Sequence, residues 1–101
     1  MQMLLRERET PEGLLVSVCD RECLGETYVD EPVRLAVTEQ FYGGEEAIEA
    51  DASAVVDGLT RADVANIVGE QAVGIAIEAG LVDDERVLEV DGTLHAQLLW
   101  L

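Results

Sequence analysis

The sequence predicts a small α+β domain, with a mostly antiparallel sheet of about five strands packed against one long helix and one or two short helices. Three observations carry this. Short apolar runs bounded by turn residues stand at both ends of the chain. Helical periodicity fills the stretch from residue 60 to residue 80. And 49% of the 101 residues are hydrophobic, enough for one core of this size and no more. Residues 1–101 therefore read as a single domain.

Met3 to Glu9 and Leu14 to Cys19 are strand-like runs joined by Thr10-Pro11-Glu12-Gly13, in which Pro presets a turn and Gly permits a positive φ. That is a hairpin. Asp20 follows, placed to cap a short turn from Arg21 to Leu24 that Gly25 closes. Val33 to Thr38 reads as a third strand, delimited by Pro32 and by the loop Gln40-Phe41-Tyr42-Gly43-Gly44. Glu45 to Ile48 and Ser53 to Leu59 are helix-prone. The long helix is expected to start at Thr60, because Thr60-Arg61-Ala62-Asp63 matches a capping box. Val64, Ile67, Val68, Ala72, Ile75, Ala76 and Ala79 then recur at spacings of three and four down to Gly80. Val87 to Val90 and Thr93 to Leu101 are strands joined by Asp91-Gly92, a strong two-residue hairpin signal.

Charge bears on the setting more than on the partner. There are 22 Asp plus Glu against six cations, all arginine, for a formal net charge of -16. The carboxylates punctuate every segment from Glu7 to Asp91 instead of forming a tail, so they coat a folded surface. In concentrated salt, where the Debye length falls to about 3 Å at 1 M, their repulsion is screened. Arginine-only usage fits, since guanidinium is weakly hydrated and pairs well with carboxylates. The expectation is a halophile's cytoplasmic protein, for which an acidic surface does not exclude RNA. No run reaches the ~18 apolar residues of a membrane span, and Met1 to Arg8 carry charge with no apolar signal region after them.

Cys19 and Cys23 are too few for a disulfide framework, and with His95 the only histidine they do not make an N/S zinc site; no metal and no cofactor is expected. Buried reduced thiols are the plain reading. His95 and Gln97 alternate on one face of the last strand, opposite the stripe Leu94, Ala96, Leu98 and Trp100, and the hairpin register sets His95 across from Leu88. His95 is either a general base or a structural imidazole bonded to a backbone carbonyl. On the expected helix, Asn66 and Glu70 lie one turn apart as a polar strip, either a ligand site or a solvated face. Tyr42, Gly43 and Gly44 either meet a ligand or pin their loop to the core.

Taken in order, Val18-Cys19-Asp20 with Leu24-Gly25, Phe41-Tyr42-Gly43-Gly44, Ala65-Asn66-Ile67-Val68-Gly69-Glu70 with Gly80-Leu81-Val82-Asp83, and Gly92-Thr93-Leu94-His95-Ala96-Gln97 resemble the small archaeal family called domain of unknown function 424. The resemblance implies an archaeal source and a compact α/β fold, without an established reaction. Departures from the family pattern are Cys23 at an aliphatic position, Thr93-Leu94 in place of Val-Pro, and Glu26 where lysine is common.

Two function classes follow. One is a non-catalytic binding module of translation or RNA metabolism, a monomer or small homo-oligomer whose partner is RNA, the ribosome or a translation factor. Its recognition surface would draw on Tyr42, Gly43, Gly44, Asn66, Glu70, His95 and Gln97. The other is an enzyme with Cys19 as nucleophile and His95 as base, oriented by Asp20 or Glu70. The first is the preferred expectation, because nothing apart from His95 itself and Arg21 supplies a cation to lower the pKa of Cys19.

Overall fold

The computed structural model describes residues 2–99. In chain order it contains β1 (Met3–Thr10), β2 (Gly13–Asp20), a 3₁₀ turn (Arg21–Cys23), β3 (Thr27–Asp30), β4 (Val33–Ala36), the short helix α1 (Glu39–Tyr42), β5 (Ile48–Ala50), α2 (Ala52–Arg61), β6 (Val64–Val68), α3 (Glu70–Glu78), a second 3₁₀ turn (Asp84–Arg86), β7 (Leu88–Val90) and β8 (Thr93–Leu99). Six strands make one sheet in the order β5-β1-β2-β6-β8-β7, while β3 and β4 pair separately. All neighbours in the large sheet are antiparallel except β2 and β6. No helix among the described residues is long and apolar enough to cross a membrane.

Both hairpins form as the turn residues predict. Asp91 and Gly92 take positive φ values of 51° and 88°, the twist-matched geometry of a two-residue turn. The long helix over 60–79 does not form. Its first part ends α2, where the Thr60 hydroxyl donates to the Val56 carbonyl at 2.7 Å instead of capping anything. Val64–Val68 is a strand, and α3 begins only at Glu70. The physical reason is that β6 lies between β2 and β8, with Ala65 and Ile67 buried against the helices and Val68 buried on the other face. Apolar residues on both sides of a strand satisfy helical spacing equally well. Three smaller expectations also change. Residues 45–47 form a turn before β5 and not a helix, the edge strand β3 joins the expected strand β4, and Asp20 does not cap the turn after it. The expected closing strand is observed to Leu99; Trp100 and Leu101 lie outside the described residues.

Asp20 instead reaches across the sheet to α3. Its Oδ2 and Oδ1 accept from the backbone N–H groups of Gln71 at 3.0 Å and Ala72 at 2.8 Å. Gly69 makes room for it. At φ 115°, a Cβ on Gly69 would lie 2.5 Å from Asp20 Oδ2 and 2.7 Å from Asp20 Cβ. The opposite end of the parallel pair repeats the device: Asp63 accepts from the Leu14 N–H at 2.8 Å and fills the space a Cβ on Gly13 would need. One Asp–Gly lock at each end thus pins the register of β2 against β6.

Strand alternation divides the sheet into two faces. On one, Met3, Leu5, Val16, Val18, Ala65, Ile67, Ala96 and Leu98 pack against Val55 and Leu59 of α2 and Ala72, Val73 and Ala76 of α3. This is the main core. The other face is covered at one end only, where Cys19 and Val68 pack beneath Cys23, Val37 and Tyr42, flanked by Leu4, Leu24, Tyr28, Leu35 and Phe41.

Candidate functional site

The partly uncovered face is built by register. Three rows cross the four central strands: Arg8, Leu15, Val64 and Leu99; Arg6, Ser17, Asn66 and Gln97; Leu4, Cys19, Val68 and His95. None of these positions is a carboxylate, in a chain with 22 of them. Glu7 and Glu9 of β1 alternate to the opposite face, where Glu7 pairs with Arg61. The carboxylates nearest these positions stand at the β1 side, where Glu46 pairs with Arg6 and Glu49 of β5 lies opposite Leu4.

Its cations are held in defined positions. Arg6 donates to the carbonyls of Gln40 at 2.6 Å and Gly43 at 3.0 Å and pairs with Glu46 at 2.9 Å. Arg8 donates to the carbonyls of Gln40 and Phe41 at 3.1 and 3.3 Å, and its guanidinium stands 5.3 Å from the centre of the Phe41 ring. Both arginines thus bind carbonyl oxygens around the C-terminal end of α1, where a positive charge is favoured. Among the described residues no carboxylate lies within 4.0 Å of Arg8.

In the middle row Gln97 Nε2 donates to Asn66 Oδ1 at 2.9 Å. His95 lies half-buried one row away, opposite Leu88 as the hairpin predicted. Its Nδ1 is 3.2 Å from the Ile67 carbonyl, so that nitrogen carries the proton and donates. Burial lowers the pKa of the imidazole below its ordinary 6.5, and the hydrogen bond to Ile67 opposes this to a lesser extent. The structural reading of His95, bonded to a backbone carbonyl, describes this geometry.

The expected candidates separate into three groups. Asn66, His95 and Gln97 come together, but Asn66 does so from a strand and not from a helix strip, so its pairing with Glu70 is lost. Tyr42 is buried at 3% exposure, stacked edge-to-face with Phe41 at 4.9 Å, and pins its loop to the core; Gly43 and Gly44 continue that loop, with the Gly43 carbonyl accepting from Arg6. Cys19 and His95 are not brought into contact. Val68 lies between them in the row, so two strand spacings, about 10 Å, separate their backbones, against the ~3 Å a proton transfer requires. Cys19 has no exposed surface. Its thiol is pushed up to about 12, first by burial and then by the charges of Cys23, Asp20 and Glu39, the reverse of an activated nucleophile. Asp20 is committed to α3.

Glu70 faces a separate cleft of about 550 Å³, lined also by Asp20, Glu22, Cys23, Tyr28, Gln71, Asp91, Gly92 and Thr93. It lies beyond the C-terminal ends of β2 and β6, where α/β sheets commonly bind ligands. Two of the N–H groups at the N-terminus of α3 that could donate to an anion there, those of Gln71 and Ala72, already donate to Asp20. No group of three or more His, Cys, Asp or Glu residues among those described is arranged for a metal ion.

Sequence reasoning missed Arg6, Arg8 and Leu99. The alternation of Leu4, Arg6 and Arg8 against Met3 and Leu5 carried the signal for the arginines, but only the register reveals what shares their face.

The geometry can be set beside known proteins. The model of the family described as proteins of unknown function, DUF424, matches residues 7–101. The chain belongs to this family. No curated protein matches it. Among solved structures, an uncharacterized conserved protein from Methanopyrus kandleri is similar, with a TM-score of 0.78 and 22% identity over 97% of this chain and 90% of that one. That likeness concerns the fold alone.

Proposed function

We propose that this DUF424 member is a non-catalytic binding module of translation or RNA metabolism, which contacts RNA through the partly uncovered sheet face. The observation that carries the reading is the row Arg6, Ser17, Asn66 and Gln97, which contributes no carboxylate of its own, beside Arg8, which has no ion-pair partner among the described residues of an otherwise acidic chain. In the salt-rich archaeal cytoplasm that the composition fits, counterion release contributes little, so affinity rests on neutral hydrogen bonds and stacking of the kind this face offers. No observation favours the Cys19–His95 enzyme.

The test is capture from a lysate at the ionic strength of the source cells, comparing the unmodified protein with Arg8→Glu and with Glu89→Lys, which changes charge on the opposite side of the sheet. Recovery of RNA or ribosomal particles that Arg8→Glu abolishes and Glu89→Lys leaves intact is the expected result. Equal recovery with both variants would sink the assignment of this face.

A further inference from the structure

The register of β6 and β8 sets Asn66 and Gln97 opposite each other, and their mutual bond is the one hydrogen bond either side chain makes among the described residues. A primary amide carries one carbonyl acceptor and one NH₂ donor group. Joining the two amides leaves the Gln97 carbonyl and the Asn66 NH₂ without a partner among the described residues. Turning both amides over exchanges their roles and still leaves one acceptor and one donor. Gln97 is exposed and Asn66 half-buried, so this pair is presented to solvent from a rigid backbone. Along the same face of β8, the flat imidazole of His95 stands on one side of Gln97 and the apolar Leu99, 62% exposed, on the other.

We infer that the Asn66–Gln97 pair is a clamp for the edge of one unpaired nucleobase, an inference that rests on the RNA-binding reading above. Each base shows a donor and an acceptor side by side on its Watson–Crick edge, and a duplex uses them up. The clamp therefore selects single strands over duplexes without reading sequence. His95 and Leu99 supply surfaces for the ring, since the flat face of any base stacks on aromatic or apolar groups. A peptide group shows the same donor–acceptor pattern. Charge favours nucleic acid: the clamp stands one row from Arg8, which makes no ion pair among the described residues, while Arg6 in its own row is paired with Glu46.

Fluorescence anisotropy with a short labelled single-stranded RNA of mixed sequence, alone and annealed to its complement, tests this at high and low KCl. The expected result is tighter binding of the single strand, with the preference reduced about tenfold by the double variant Asn66→Leu/Gln97→Leu. Gln97→Glu, at an exposed position that leaves the fold undisturbed, should weaken single-strand binding to at least the same degree. Equal affinity of the unmodified protein for single and double strands overturns the clamp. So does unchanged binding by both amide variants, and if Arg8→Glu then still abolishes binding, the RNA-binding face survives without the clamp. Failure to bind either form overturns both readings.

Discussion

The lock between Asp20 and Gly69 makes a quantitative prediction. Asp20→Ala leaves the N–H of Ala72, a residue with no exposed surface, without a partner and removes the cap of α3. Together these should cost about 2 kcal/mol. Gly69→Ala adds two effects. An alanine at φ 115° is strained by about 2 kcal/mol, and its Cβ, 2.7 Å from Asp20 Cβ, meets a part of the side chain that cannot swing aside, so the cap is lost as well. The total is about 4 kcal/mol, or a Tm lower by roughly 16 °C or more for a domain of this size. In the double variant the cap can be lost only once, so its cost should again be about 4 kcal/mol and not the sum of about 6. Urea unfolding at fixed KCl, with the midpoint read at constant m, measures the cycle. Costs that add to within ~0.5 kcal/mol would refute the shared mechanism.

Three further outcomes are expected. Because burial holds the His95 pKa below 6.5 in the folded state, the unfolded chain takes up the proton first. Stability from this group is complete above pH 6.5 and lost as pH falls below it towards the folded value, so His95→Gln should flatten the stability–pH slope just below pH 6.5; an unchanged slope would count against the assignment. With its pKa pushed up to about 12, Cys19 should react with iodoacetamide only as fast as the protein opens, and rapid labelling of the native protein below pH 7 would restore the enzyme reading. A net charge of -16 opposes compaction when unscreened, so the urea midpoint should rise with KCl; a midpoint independent of salt would remove the halophilic interpretation.

Legibility followed the range of the interactions. Turn chemistry made both hairpins readable, and alternation in Thr93–Leu99 put His95 and Gln97 on one face and His95 opposite Leu88. Residues 64–68 read as helix because Val64, Ala65, Ile67 and Val68 fit a helix stripe as well as they fit a strand with apolar residues on both of its sides. Gly69 marked the boundary, but a glycine inside a helical pattern is tolerated often enough to hide it. Asp20 looked like a local cap because capping is normally local, whereas its partner Ala72 lies 52 residues away.

The amino-acid sequence by itself determined the class of fold, the two hairpins, the acidic coat and the side of the last strand on which His95 and Gln97 stand, because each depends on residues within a few positions of one another. Only the tertiary structure decided that β6 is a strand, that Asp20 belongs to α3, that Tyr42 is core, and that Asn66 meets Gln97 on the face that also holds Arg6 and Arg8. Those outcomes depend on which strands become neighbours. Neighbour choice is settled by burial of the whole sheet against its helices, a property that no window of sequence contains.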